Sequence, residues 1–314
     1  MTYQRADSKN ATFRPACAIF PCTAMVTLDF YRPALCLQRY VQFYTQRAVR
    51  LRDPLFVHSV PARAAPMLEF VFGDCFKVMY AGSSTEETSP AAVVVGMLTR
   101  PHAQLRLQGT FQSFVIMFQP AGLDALFPVA LNELTGHAFD ARSVLGRPIA
   151  ELEERLGDCQ SFPARVKAAN AFLARRIPDA LAANRIAMAT HLIDTKKGRV
   201  LIPDLASTVG IGQRQFERDF GARYGMRPKL YARIVRFQAA LDSKARSATK
   251  SWTDVAHEFG YHDQMHLIHD FEEFTSGTPT ETLRQLEAFF RDQISLIQIG
   301  MGARDPRLVP RFVI

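Results

Sequence analysis

The chain has 314 residues, 48% of them hydrophobic and 22% charged, which suits two ordinary soluble domains and excludes a disordered or fibrous protein. A net charge of +8 and a pI near 9.4 are compatible with a polyanionic partner. No apolar run approaches the roughly 18 residues of a membrane helix, the first turns of the chain lack the apolar core of a secretory leader, and the five cysteines have no framework spacing. A cytoplasmic protein with reduced thiols and no membrane partner is expected.

In chain order, residues 1 to about 20 read as a lead-in. From Phe30 to Gln119 the apolar runs are short: Leu55-Phe56-Val57, Leu68 to Phe72, Phe76 to Tyr80, Val93 to Val95 and Phe114 to Phe118. Gly73-Asp74, Ala81 to Ser84, Arg100-Pro101-His102 and Gln108-Gly109 supply turn chemistry between them. Such spacing predicts a β-sandwich or barrel over residues 1–120, and Leu105-Arg106-Leu107 alternates like a strand with one wet face.

After Pro120 the texture becomes helical. Leu123, Leu126, Phe127, Leu131 and Leu134 share spacing around Pro128, and Leu152, Leu156, Val166, Phe172, Leu173 and Leu181 continue it. A helical connecting segment is expected over 121–183, with a boundary near Pro178 to Asn184. Ile186, Ala189, Leu192 and Ile193 then open an all-α domain, expected over 184–290, whose first helix stops at Lys196-Lys197-Gly198. Residues 286–298 read as one more helix, and 291–314 as a C-terminal tail.

Between Ile202 and Leu283 one helix-pair pattern occurs twice. Asp204, Leu205, Ala206, Gly210, Phe216, Phe220 and Pro228 are answered by Asp254, Val255, Ala256, Gly260, Leu267, Phe271 and Pro279. A short helix, a glycine turn and a second amphipathic helix, used twice, reads as two helix-turn-helix units, at about 202–225 and 252–276. In the first, Phe216 and Phe220 face inward at i, i+4, which sends Gln213, Arg214, Glu217 and Arg218 to the other side. Arginine and glutamine on one helix face match guanine and adenine edges in a major groove. Pro228 opens a linker helix with the stripe Leu230, Ile234, Phe237, Leu241, flanked by Lys229 and Arg233. Trp252 is expected to pack against that linker. The second reading helix leaves Gln264, Met265, His266 and His269 outward. Candidate DNA contacts are therefore Gln213, Arg214, Glu217, Arg218, Lys229, Arg233, Gln264, Met265, His266 and His269.

Charge divides the two copies. Arg199 to Arg246 holds ten Lys/Arg against four acids, whereas Ser251 to Phe290 holds one base against eight acids. The first copy is expected to carry most of the affinity.

These residues resemble the AraC-type transcriptional regulators over 186 to about 285. The resemblance rests on Ile202-x-x-Leu205-Ala206 before Gly210, and on Phe216-x-Arg218-x-Phe220 with Gly225 and Pro228-Lys229-x-Tyr231. Arg236-Phe237-x-x-Ala240-Leu241 and Gly260-Tyr261-x-Asp263-Gln264 add to it. It implies an α+β chain: a β-rich N-terminal domain that senses a small-molecule effector or self-associates as a homodimer, then the double helix-turn-helix. It further implies binding of double-stranded promoter DNA, leaves RNA polymerase as a partner, and calls for no cofactor and no catalytic residue. Four departures stand out. Gly212 replaces a capping serine, His269 replaces an arginine, Glu272 and Glu273 fill basic positions, and Ser276-Gly277 shifts a glycine by one.

Enzyme signatures are absent: no GxSxG, no phosphate-binding glycine loop, no HExxH. His262, His266 and His269 fall at i, i+4 and i+7, a spacing zinc can use, but without a cysteine among them, and a solvated or DNA-facing helix surface is the expectation. The alternative kept open is an enzyme or metal-sensing module that uses the helix-turn-helix region only for attachment to DNA.

Overall fold

The computed structural model describes residues 25–179, 184–247 and 249–284. The expected lead-in, Leu181, the helix over 286–298 and the C-terminal tail lie outside the described residues.

The N-terminal part is built on strands β1 (Met25–Tyr31), β2 (Val41–Val60), β3 (Met67–Gly73), β4 (Lys77–Tyr80), β5 (Glu86–Thr88), β6 (Ala92–Val95), β7 (Ala103–Phe118) and β8 (Ala138–Asp140). They form one antiparallel sheet in the order β1-β2-β7-β3-β6-β8, with β4 also paired to β7 and β5 to β4. Here the short-strand expectation is corrected. β2 and β7 run for 20 and 16 residues, and β7 serves β3 with its second half and β4 with its first. Gln108-Gly109, expected as a turn, is an irregularity inside β7. Leu51 pairs with Gly109 and Phe56 with Leu107, so β2 carries extra residues there. A bulge bends a strand without ending it, which lets one long pair line both parts of the sheet.

The segment after the sheet carries α1 (Leu123–Leu126), α2 (Leu131–Leu134), α3 (Ala141–Leu145), α4 (Arg147–Asp158) and α5 (Phe162–Ala174). The strand β8 interrupts it, pairing Phe139 with Val94 on the free side of β6, so this stretch is not purely helical. Three residues carry too short a period for a strand signal, and only the waiting edge of β6 decides their conformation. The segment lies hard against the sheet. A Cβ at Gly122 would sit 1.9 Å from the Tyr40 carbonyl oxygen, and one at Gly96 2.0 Å from that of Leu134. Asp140 and Ser161 cap α3 and α5 by accepting from Ser143 N and Ala164 N.

The C-terminal part is all helix: α6 (Arg185–Thr195), α7 (Ile202–Thr208), α8 (Gln213–Tyr224), α9 (Pro228–Arg246), α10 (Trp252–Glu258) and α11 (Gln264–Thr275). The fold is thus α+β, as expected. The two parts touch through backbone groups: Ala62 N–H donates to the Phe274 carbonyl at 2.8 Å, and Ala64 N–H to Gln238 Oε1 at 3.2 Å. On the other side Thr135 Oγ1 donates to the Tyr224 carbonyl at 2.8 Å, and Arg223 pairs with Asp124 at 2.5 Å.

Candidate nucleic-acid interface

In the first unit, α7 ends at Gly210, whose φ of 71° suits a residue without Cβ. Ile211 packs half-buried in the corner, and α8 starts from Gly212 with no side-chain cap. Phe216, Phe220 and Tyr224 recur every fourth residue and are fully buried. Their rings stack in sequence, Phe216 to Phe220 at 5.7 Å and Phe220 to Tyr224 at 4.8 Å, and Tyr231 of α9 closes the cluster at 5.5 Å from Phe220. This aromatic spine dictates which face of α8 is wet.

On that face stand Gln213, Arg214, Glu217 and Arg218. Arg214 is exposed and has no hydrogen bond or ion pair among the described residues. Gln213 Nε2 donates to Glu217 Oε1 at 2.7 Å, and Arg218 donates to Gln215 while lying 3.6 Å from Asp219. Such surface contacts are worth under about 1 kcal/mol and yield readily to a stronger acceptor. Lys229 is exposed in the first turn of α9, close in sequence to the exposed Arg227.

Arg233 departs from expectation. Its guanidinium is held by Asp270 at 2.7 Å and Glu273 at 2.5 Å, and lies 5.1 Å from the Phe274 ring. Arg236 reaches the same Asp270 at 3.3 Å and stacks 4.1 Å over Tyr261. Arg233 therefore braces α9 against α11. Burial opposes its charge, but the hydrogen bonds that it donates to Glu273 and Asp270 together outweigh this and raise its pKa.

The second unit repeats the first with an offset of 50 residues up to its glycine turn and 51 in its reading helix, so that Leu267, Phe271 and Thr275 stand for Phe216, Phe220 and Tyr224. Trp252 packs 5.3 Å from Phe271, with Lys244 of α9 5.6 Å from its ring, as expected of a residue wedged under the linker. Gln264, Met265, His266 and His269 are exposed on α11. Gln264 Oε1 accepts from Thr253 Oγ1 at 2.9 Å, and His269 lies 3.6 Å from Glu272. At the position of Gly225, whose φ is 65°, stands Ser276 with φ 61°. The shifted glycine of the sequence therefore leaves a serine in the left-handed conformation.

The acidic excess of this unit looks different once folded. Asp270 and Glu273 are neutralised by Arg233 and Arg236, and Glu258 by Lys250 at 2.7 Å. Asp254 and Asp263 cap α10 and α11, and Glu281 accepts from Thr278 N–H. Hydrogen bonds from Ser251 hold the Asp254 carboxyl below its usual range, and the His266 N–H does the same for Asp263. Three of the eight acids are thus paired with bases, while Asp254, Asp263 and Glu281 keep their charge as they hold the local backbone.

The three histidines do not converge. His262 precedes the helix, its ring 5.8 Å from His266, and His269 turns to Glu272. Among the described residues, His262, Asp263 and His266 bring ligand atoms within 4.8 Å of one another, all three exposed. Among the described residues no helix is long and apolar enough to cross a membrane.

The contacts that reading the sequence missed are those between the two parts. Arg223 counted only as one more positive charge, and Asp124, Thr135, Ala62 and Arg63 carried no local signal. Arg63 is 2% exposed, donates from Nε to the Ala65 carbonyl at 2.9 Å, and leaves Nη2 buried without a partner. Burial lowers its pKa to about 10, so it stays charged at neutral pH.

Compared with known proteins, residues 205–285 match the family model of a helix-turn-helix domain, and residues 29–140 that of a domain of unknown function. Among solved structures, ToxT from Vibrio cholerae O395 is 10% identical with a TM-score of 0.46, covering 83% of this chain and 98% of that one. The unsaturated fatty acid bound wild-type ToxT from Vibrio cholerae strain SCE256 is 8% identical with a TM-score of 0.45, covering 84% and 96%. The AraC-like transcriptional activator CuxR is 10% identical with a TM-score of 0.20, covering 80% and 77%. No curated protein sequence matches the chain.

Proposed function

We propose that the chain, whose residues 205–285 match the family model of a helix-turn-helix domain, is a sequence-specific transcriptional regulator of the AraC type that binds double-stranded promoter DNA in the cytoplasm. Gln213, Arg214, Glu217 and Arg218 read bases from α8, Lys229 holds a phosphate, and Gln264, Met265, His266 and His269 make the weaker contacts of α11. The observation that carries this reading is the exposed, unpartnered Arg214 beside Arg218, on a helix whose opposite face is a buried aromatic spine. A planar guanidinium with free donors is the side chain that guanine O6 and N7 select.

In the same reading, residues 1–120 sense a small effector or join two copies, 121–183 connect, and 184–290 bind DNA, with RNA polymerase as a further partner. The deciding experiment is binding of the full chain to fragments enriched from a random duplex library, measured against salt. Sequence-selective binding that weakens steeply with salt is expected; binding without selectivity, or none, rejects the proposal.

One observation favours a second reading, a metal-responsive module: the ligand atoms of His262, Asp263 and His266 gathered within 4.8 Å. Stoichiometric metal in the purified chain, lost in His266→Ala, would favour it.

A further inference from the structure

Between the sheet and helices α6 and α9 lies a cleft of about 260 Å³, lined among others by Arg63, Gln42, Asp194, Lys197, Asp242 and Arg246. Its size, below the range of drug-sized pockets, suits a compact ligand. Three of its side chains are cationic, and two, Asp194 and Asp242, are carboxylates. Asp194 accepts from the Tyr231 hydroxyl at 2.9 Å, and Glu69, the acid that acts on Arg63, is paired with Arg47 at 2.5 Å. Arg63 thus brings a buried guanidinium with unspent donors to the wall of a cleft. Its Nη2 is buried with no partner among the described residues, a costly arrangement unless an acceptor reaches it.

We propose that this cleft binds a compact oxyanion, the carboxylate or phosphate group of a small molecule, on the Arg63 guanidinium with Lys197 and Arg246 at its rim. Arg63 is the right donor because its fork matches two oxygens of either group at once. The residues on either side of Arg63 are those that hold the C-terminal part: Ala62 N–H on the Phe274 carbonyl near the end of α11, and Ala64 N–H on Gln238 of α9. An anion that draws on Arg63 therefore acts on the loop that clamps the linker and the second reading helix. This link to DNA rests on the function proposed above; the binding itself does not.

The test uses the full chain with two probes, succinate and inorganic phosphate, against sodium chloride at equal ionic strength. At about 10 mM, one of the two anions is expected to raise the unfolding temperature by about 3 °C where chloride does not. Arg63→Met is expected to abolish that shift. A shift with succinate alone names a carboxylate and one with phosphate alone a phosphate, whereas no shift with either, or an equal shift in R63M, overturns the proposal. Should R63M fail to fold, the exposed rim variant Arg246→Glu decides: a shift at least halved supports the site, and an unchanged one overturns it. A DNA shift assay with Arg214→Ala as control runs separately, so that loss of the DNA reading leaves the anion result standing.

Discussion

Arg233 Nη2 donates to Asp270 Oδ1 at 2.7 Å across 37 residues of chain, so the linker helix and the second reading helix share a half-buried ion pair. Asp270 is 4% exposed and keeps Arg236 as a second partner. Truncating Arg233 to alanine should cost about 2 kcal/mol, the scale of hydrogen bonds to a charged group, read as a lowered urea midpoint. The slope of DNA affinity against salt should hardly change, because Arg233 neutralises carboxylates and not phosphates. Lys229→Ala, by contrast, should leave stability intact and reduce that slope by about one unit. A reduced salt slope in R233A would return it to the DNA contacts.

Arg214→Ala and Arg218→Ala should each weaken binding to the selected DNA by about ten- to a hundredfold, the scale of a lost bidentate base contact. Gln264→Ala and His269→Ala should each cost less than about fivefold, their side chains being already shared with Thr253 and Glu272. Equal losses from the two helices in a shift assay would defeat the idea that the first unit leads.

Two substitutions should stabilise the domain. Gly212 begins α8 without a side-chain cap and has open space at its Cβ. Gly212→Ser supplies an acceptor for the first turn and should add about 0.3 kcal/mol. Ser276→Gly should relieve part of the left-handed penalty of about 1 kcal/mol at φ 61°. Thermal unfolding reads both, and a drop in either variant would contradict the cap geometry.

The two parts of the chain should unfold together. Thr135→Val removes the hydroxyl that meets the Tyr224 carbonyl, and should cost about 1 kcal/mol. Asp124→Asn removes the charge facing Arg223, a pair with side chains only 17% and 23% exposed. The double variant should separate one thermal transition into two. A single transition in the double variant would show that these contacts do not couple the parts.

His102 gives a pH signature. Burial first, then the neighbouring His137 and Arg63, lower its pKa to about 4, and its Nε2 has no partner among the described residues. An unfolded histidine takes its proton near pH 6.5. Between those values the unfolded chain binds more protons, so stability falls as pH drops from about 6.5 to about 4. His102→Phe should flatten that part of the melting-temperature profile. An unchanged slope would place the histidine in contact with water.

Much of the C-terminal half was legible because its signals are local. Phe216 and Phe220, one helical turn apart, define an inner face, and the outer face holding Arg214 and Arg218 follows from helix geometry alone. Gly210 and Gly260 mark their turns for the same reason, since a positive φ is a property of one residue.

Where partners lie far apart in sequence, the tertiary structure decided. A count of acids over 251 to 290 predicts a repelling surface, yet Asp270 and Glu273 are claimed by Arg233 of α9 and Glu258 by Lys250. Neither the length of β2 nor the strand β8 shows in the pattern, because a bulge mimics a turn and an edge recruits whatever residues reach it. Arg63 reads as one arginine in an alanine-rich stretch, and only the packing of the sheet against α9 makes it a buried charge. Local periodicity therefore determined which helices form and which faces they bury. Which charges remain free, and where the two halves of the chain meet, were set by contacts that exist only after the chain has closed on itself.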